Sequence, residues 1–549
     1  EQAMAHTAIA YAKAQLRRRM MAVTTSIGPG ATNLVTAAAL AHVNRLPVLF
    51  LPGDVFVSRA PDPVLQQVED FHDGAVSANE CLRPVSRYFD RIVHPAQLLT
   101  ALPRAIQVLT DPALCGPVTI ALPQDVQAMA CEYPESFFEP RTITFRATPP
   151  ESGELASVAA RLREAERPLA IAGGGVLYAQ ATEILRRFAE QHGVPVCETQ
   201  AGKGALRWDH PLQLGAVGVT GSPAANALAR EADVVLAIGT RLTDFTTGSH
   251  SLFTQAALIN LNVNPIDGLK WRGMPLVADA GLGLAALDEA LAGWRASRPW
   301  QARATAVAEE WRTAVDRITG QREVPRPYEG DVIGAVQRSS PESPSRDVVV
   351  CAAGGLPGEL HKLWRTATPG GYHVEYGYSC MGYEIAGGLG VKMARPDRDV
   401  IVMVGDGSYL MLNSEIATSV MLGQKLIIVL LDNRGFGCIH RLQKACGGAP
   451  FNNLFQDAHS GAPRIDFAAH ARSLGALAEN VATIRELEAA LRRARAADRT
   501  YLVCIETDPE RVTAEGGWWW DVAIPEVSHS DEVQAARKAY EQGKRQQRV

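Results

Sequence analysis

Residues 404–437 read "VGDGSYLMLNSEIATSVMLGQKLIIVLLDNRGFG", with two polar clusters, Gly405-Asp406-Gly407 and Asp432-Asn433, each at the end of a hydrophobic run. An ionised carboxylate, a neutral amide oxygen and a free loop carbonyl are hard oxygen donors. They suit Mg²⁺, a cation that commonly shares its shell with substrate phosphates. Gly405 and Gly407 let the backbone approach an anion, and N–H groups at the start of a following helix can bind it. Together these residues predict a diphosphate held through Mg²⁺. Gly-Asp-Gly alone is a common turn. Its pairing with Asp-Asn at the end of the next run is what points to chemistry.

Positioning such residues requires particular elements. "DVIVMV" and "KLIIVLL" are unbroken apolar runs, the pattern of strands buried on both faces, and "SYLMLNSEIATSVML" between them has helical spacing. The right-handed crossover of this βαβ unit brings the carboxyl ends of both strands to one sheet edge, so Asp406 and Asn433 face one crevice. The same alternation runs through the chain. A first block holds "MMAVTTS", "LPVLFLPG" and "GPVTIALP", a second "RPLAIAGGG", "VPVCETQ", "ADVVLAIGT" and "ALINLNVN", and a third "RDVVVCAAG", "DVIVMVGDG", "KLIIVLLDN" and "YLVCIETD". The predicted class is α/β, with three doubly wound parallel-sheet domains, the first and third alike. Boundaries fall at 1–131 for the first domain, 132–153 for a linker, 154–300 for the central domain, 301–330 for a helical linker, 331–510 for the third domain and 511–549 for a tail.

With 549 residues the chain is too long for one core, and 47% hydrophobic with 21% charged residues is the composition of a folded globular protein. A net charge of -5 supplies no general attraction to nucleic acid or to an anionic membrane. The nine cysteines are scattered, without a CxxC pair or metal-ligand spacing, and read as reduced thiols of a cytoplasmic protein. No apolar stretch reaches the roughly 20 residues of a membrane span. The opening "EQAMAHTAIAYAKAQL" places Met4, Ala8, Ile9, Ala12 and Leu16 at helical spacing directly after Glu1, so the chain reads as a fragment that begins inside a helix. "AGGGV" at 172–176 lacks the full glycine fingerprint of a dinucleotide loop. His440 receives no role, and "WWW" at 518–520 reads as a packed closure or an interface patch.

Gly-Asp-Gly followed by an Asn-containing doublet resembles the signature of thiamine-diphosphate enzymes, and the resemblance extends over nearly the whole chain. "TTSIGPGATNLVTAAALAHVNRLPVLFLPGDV" is similar to the pyrimidine-binding domain of the acetolactate-synthase-like group. "AGKGAL" and "ADVVLAIGTRLTDF" are similar to its central domain, and "YGYSCMGYEIAGGLGVKMARPDRDVIVMVGDGSY" to its diphosphate-binding domain. Within that group, the segment from "GPGATN" to "VEDF" and the tail "WWWDVAIPEVSHSDEVQAARKAYE" most resemble the ring-opening hydrolases of cyclic 1,2-diones in myo-inositol breakdown.

The resemblance implies thiamine diphosphate and Mg²⁺ as cofactors. Asp406, the Asn433 side chain and the Gly435 carbonyl would hold the metal, while Gly405, Gly407 and Ser408 would meet the diphosphate. Met381 would hold the cofactor bent, and the Ser379 carbonyl would meet its aminopyrimidine. Glu1 falls where the family's glutamate contacts the pyrimidine ring, and a carboxyl buried there would share a proton with the ring. Gly354 and Gly355 stand where relatives usually place polar side chains near the diphosphate, and Asp432 where many have Asn. The implied activity is ring opening of 3D-trihydroxycyclohexane-1,2-dione to 5-deoxyglucuronate by a homodimer or homotetramer. The alternatives are a 2-oxo-acid synthase or decarboxylase of the acetolactate type, and a non-catalytic α/β binding protein.

Overall fold

Residues 1–459, 461 and 464–548 are described by the computed structural model. Within them, residues 1–146 and 377–397 form one unit, and residues 147–376 and 398–548 a second. In the first unit β1 (Ala22–Thr25), β2 (Leu49–Asp54), β3 (Tyr88–Arg91) and β4 (Val118–Pro123) form a sheet in the order β1-β2-β4-β3. The three apolar runs of the first block are β1, β2 and β4. β3, "YFDR", is only partly buried at every position and carries no hydrophobic signal in the sequence.

The helix Gln2–Ala14 forms as its spacing predicts, and three of the five spaced residues lie on its buried side. Ala5, Ala8, Ile9 and Ala12 are buried, whereas Met4 is 40% exposed, and Leu16 lies past the helix end at φ 53°. Small residues dominate because the helix lies against the helix Tyr383–Ala394. A Cβ on Gly390 would come 2.1 Å from the Thr7 carbonyl oxygen, and Thr7 Oγ1 donates to the Ala386 carbonyl at 3.0 Å. This packing joins residues 377–397 to the first unit, although they lie inside the contiguous third domain expected from the sequence.

The second unit holds two sheets. β5 (Pro168–Ala172), β6 (Val196–Glu198), β7 (Gln213–Ala216), β8 (Val234–Ile238), β9 (Ala257–Asn262) and β10 (Met274–Val277) follow the order β10-β9-β8-β5-β6-β7. β11 (Val348–Cys351), β12 (Tyr372–Val374), β13 (Val400–Gly405), β14 (Ile427–Asp432), β15 (Leu477–Val481) and β16 (Tyr501–Glu506) follow the order β12-β11-β13-β14-β16-β15. Every ladder in the three sheets is parallel, which bears out the α/β class. The first and third sheets differ in size, with four strands against six.

The helix Arg298–Thr319 covers most of the segment expected as a linker, yet it is part of a core. Trp300, Val307, Trp311 and Val315 belong to one buried cluster with Leu169 and Val235 of the central sheet and Ile401 and Val429 of the third. The tail also packs: Trp518 Nε1 donates to Ser251 Oγ at 2.7 Å and Trp520 Nε1 to Asp244 Oδ2 at 3.1 Å. "WWW" therefore closes over the central domain. The "AGGGV" glycines serve backbone packing, since a Cβ on Gly175 would sit 2.6 Å from the Gly239 Cα.

Candidate active site

β13 and β14 are neighbours with Gly405 opposite Leu431, so their carboxyl ends emerge side by side, as the crossover argument requires. Asp406 is fully buried at the end of β13. Its Oδ1 accepts the Gly407 N–H at 2.8 Å and its Oδ2 the Gly435 N–H at 2.8 Å. Burial, reinforced by the adjacent Asp432 carboxyl, pushes the Asp406 pKa up to about 8, with the two N–H groups opposing. A buried carboxyl with a second, partly exposed carboxyl beside it favours a cation between or beside them.

The Asn433 amide completes the corner. Its inward-facing atom stands 2.7 Å from the Gly435 carbonyl oxygen and 3.3 Å from Asp406 Oδ1, both acceptors. Turned with nitrogen inward, the amide donates to both. Turned with oxygen inward, it completes three convergent oxygens, an arrangement that a hard cation satisfies. Among the described residues no cluster of three His, Cys, Asp or Glu side chains could hold a metal. This donor set escapes that description because it uses one carboxylate, one amide and one carbonyl.

The glycines around it have separate reasons. Gly435 has φ 142°, and a Cβ there would lie 2.5 Å from the Asn453 carbonyl oxygen. A Cβ on Gly407 would lie 2.8 Å from the Phe436 ring, while one on Gly405 would meet nothing within 4 Å. Gly435→Ala should therefore cost about 1–3 kcal/mol in denaturant unfolding of the ligand-free protein. Gly405→Ala should leave that stability nearly unchanged and weaken cofactor binding, because its methyl enters the open space. Equal unfolding midpoints for the two variants would contradict this account.

The helix expected to follow Asp406 is broken in two, Asp406–Met411 and Glu415–Met421. Leu412 leaves the helical region at φ -156°, and Asn413 Nδ2 donates back to the Tyr409 carbonyl at 3.0 Å. Asn413, in the middle of the apolar spacing, bonds the backbone locally where the first helix ends, and Ser414 Oγ donates to Glu415 Oε1 at 3.2 Å at the start of the second. Ser408 is buried in its first turns.

In the first unit, Ser379 is held at φ 47° and Gly382 at φ 89°, directly before the helix Tyr383–Ala394. A left-handed serine is an uncommon conformation, and it sets the direction of the Ser379 carbonyl. Met381 is partly buried, and Cys380 Sγ lies 3.8 Å from Nε2 of His6, whose pKa burial lowers to about 4. Glu1 caps the helix Gln2–Ala14 and is exposed, its Oε2 accepting from Asn33 Nδ2 at 3.2 Å. Asn33 was not singled out in the sequence, although it lies in the "GPGATN" segment.

Gly354, at φ 86°, has no atom within 4 Å of where a Cβ would stand. At Gly355 a Cβ would lie 2.4 Å from Nη2 of Arg441 and 3.4 Å from Oε1 of Glu329. The guanidinium thus occupies the place of the side chain that Gly355 lacks. Glu329 is buried, which pushes its pKa up to about 7, with Arg441 opposing. No spacing in the sequence links positions 329, 355 and 441. His440 is buried, with Nε2 2.8 Å from Glu510 Oε1.

Comparison with known proteins agrees with this geometry. The N-terminal thiamine pyrophosphate (TPP) binding domain of thiamine pyrophosphate enzymes matches residues 1–73, their central domain 155–287 and their C-terminal TPP binding domain 352–505. A 3D-(3,5/4)-trihydroxycyclohexane-1,2-dione hydrolase of Geobacillus thermodenitrificans is 42% identical, over 98% of this chain and 88% of the relative. The chain belongs to the thiamine pyrophosphate enzyme family. Enzymes of the same name from Bacillus cereus and Bacillus licheniformis are 42% and 41% identical, again over 98% of this chain and 88% of each relative. As a thiamine pyrophosphate enzyme the chain uses thiamine diphosphate. The C-terminal match contains Ser379, Met381, the Gly405–Ser408 run and the Asn433–Gly435 loop, and the N-terminal match contains Glu1 and Asn33.

Proposed function

We propose that this protein is a thiamine-diphosphate-dependent hydrolase of carbon–carbon bonds that opens 3D-(3,5/4)-trihydroxycyclohexane-1,2-dione to 5-deoxyglucuronate in inositol breakdown. The observation that carries this reading is the 42% identity across 98% of the chain to an enzyme named for hydrolysis of that dione. When bound, the cofactor supplies a carbanion for addition to a carbonyl and an electron sink for cleavage of the adjacent carbon–carbon bond.

The chain's own residues would bind, orient and move protons. Asp406, the Asn433 side-chain oxygen and the Gly435 carbonyl would hold Mg²⁺, and the convergence of their oxygens supports that assignment. Gly405, with open space at its Cα, and the backbone at Gly407 and Ser408 would receive the diphosphate. Ser379, Met381 and Glu1 would serve the pyrimidine end. Glu1 is exposed in the chain alone, so its carboxylate is open to a bound pyrimidine ring. The pyrimidine and diphosphate halves of the site belong to different domains, and we assign the catalytic form to a homodimer or homotetramer in which two chains share them. Among the described residues no helix is long and apolar enough to cross a membrane, and no two cysteines form a disulfide. A reducing compartment suits those thiols, and we place the enzyme in the cytoplasm.

Product analysis tests the reading. With the cyclic dione, thiamine diphosphate and Mg²⁺, the enzyme should consume one water per ring opened and release no carbon dioxide, because the dione carries no carboxylate to lose. Light scattering on the same preparation should give the mass of at least two chains. Carbon dioxide from pyruvate, with the dione left untouched, would assign the protein to the acetolactate type instead. No cofactor-dependent turnover of either compound would leave a binding protein.

A further inference from the structure

A small cavity, partly open to solvent, lies between the central and third sheets, away from the carboxyl ends of β13 and β14. Residues from three places line it: β6 and β7 with the loop between them, the helix Arg298–Thr319, and the end of the helix Leu356–Leu363 with the residues after it. Four of the lining side chains are cationic, Lys203, Arg312, Lys362 and Arg365, against a single carboxylate, Glu198.

Most of these charges are already answered. Glu198 Oε1 accepts the N–H groups of Gly204 at 3.0 Å and Leu206 at 3.1 Å. Arg312 pairs with Glu309 at 2.7 Å, and Arg365 pairs with Asp316 at 2.7 Å while stacking 4.3 Å from the Trp208 ring centre. Lys362 Nζ donates to the Thr513 carbonyl at 3.3 Å. Lys203 is different. It is 6% exposed, and among the described residues its ammonium has no hydrogen bond and no ion pair; its recorded neighbour is the Tyr372 ring, 5.7 Å from Nζ.

The loop is built to hold the lysine there. A Cβ on Gly202 would lie 2.1 Å from the Ala172 carbonyl oxygen, and one on Gly204, at φ 90°, 2.6 Å from the Thr366 methyl. Both glycines flanking Lys203 are therefore pressed against neighbouring chain. A buried ammonium without an acceptor is costly, and it either loses its proton or acquires an anion. Burial does lower the Lys203 pKa, with Glu198 opposing. Trp208, Trp311 and Trp364 reduce the water that could otherwise solvate the charge.

We propose that this cavity is a binding site for a small oxyanion, a phosphate or a carboxylate, with Lys203 as its charged donor and Lys362 as the second. Since Lys203 follows the central sheet and Lys362 sits on the helix after β11, the bound anion joins the two domains. The site is separate from the diphosphate site and stands whether or not the proposed reaction is correct.

Calorimetry on the enzyme saturated with thiamine diphosphate and Mg²⁺, titrated with inorganic phosphate or with acetate at constant ionic strength, tests it. The filled cofactor site cannot then take the anion. Saturable binding is expected in the parent, with roughly tenfold or greater weakening in Lys203→Met. The exposed control Arg303→Gln should bind as the parent does. Saturation by phosphate alone assigns a phosphate ligand, and saturation by acetate as well assigns a carboxylate. Should Lys203→Met fail to fold by circular dichroism, Lys362→Gln should show the weakening. No saturable binding of either anion to the parent, or equal affinity in the parent and in a folded variant at Lys203 or Lys362, would overturn the proposal.

Discussion

Asp406→Ala is expected to lower Mg²⁺-dependent affinity for thiamine diphosphate on the order of 100-fold or more, and with it turnover, while the α/β fold persists. The substitution removes the charged donor from the convergent set with Asn433 and Gly435, and it strips the Gly435 N–H of the acceptor that holds the loop at 2.8 Å. A neutral amide separates these effects. Asp406→Asn keeps an acceptor for one of the two N–H groups, Gly407 or Gly435, that the carboxylate serves, and it removes a carboxylate whose ionised form is disfavoured by burial and by Asp432. The ligand-free Asp406→Asn protein should therefore lose less stability than Asp406→Ala, which removes both acceptors. It should nevertheless lose the stabilisation that Mg²⁺ and cofactor give the parent, which follows their binding. Thermal unfolding with and without Mg²⁺ and thiamine diphosphate reads both effects. Equal ligand-induced shifts in parent and variant would remove Asp406 from the metal site.

Glu1→Gln should behave in the opposite way, keeping the cofactor and losing roughly 100-fold or more in turnover of the dione, the scale of a positioned proton-transfer group. The amide preserves size and can still face Asn33, which meets the Glu1 carboxylate at 3.2 Å, but it cannot exchange a proton. Cofactor retention should survive because the diphosphate end, at Asp406 and Asn433, is untouched. Binding calorimetry and steady-state kinetics on the same preparation separate the two quantities. Turnover at the parent rate would mean that Glu1 carries no proton in the reaction.

How much of this site can be read from the sequence depends on how local each feature is. Asp406 and Asn433 are legible because each ends an unbroken apolar strand, and handed crossover brings such ends to one edge without knowledge of packing. β3, β7, β10, β12 and β15 carry no comparable run, being short or partly exposed, and the sequence does not announce them. Asp432 is visible as a residue, but its proximity to the Asp406 carboxyl depends on the register of β13 on β14, which sets Gly405 opposite Leu431. The approach of Arg441 and Glu329 to Gly355 joins positions far apart in the chain and has no sequence signal at all.

Other features divide along the same line. The helix Gln2–Ala14 and the burial of Ala8, Ile9 and Ala12 follow from spacing, but the exposure of Met4 and the close approach of a second helix to Thr7, which Gly390 permits, do not. The helix Arg298–Thr319 follows from its pattern, while its place in a core shared by two sheets does not, since a charged amphipathic helix reads the same on a linker as on a domain surface. By itself, then, the sequence determined the α/β class, the two strand ends that carry the polar cluster and the resemblance to thiamine-diphosphate enzymes, because strand burial, crossover handedness and motif spacing are local properties. The tertiary structure alone decided how the Asn433 and Gly435 oxygens converge on Asp406, that Lys203 goes without an ion pair among the described residues and which charges are buried together, because these depend on how loops turn and on the approach of segments far apart in the chain.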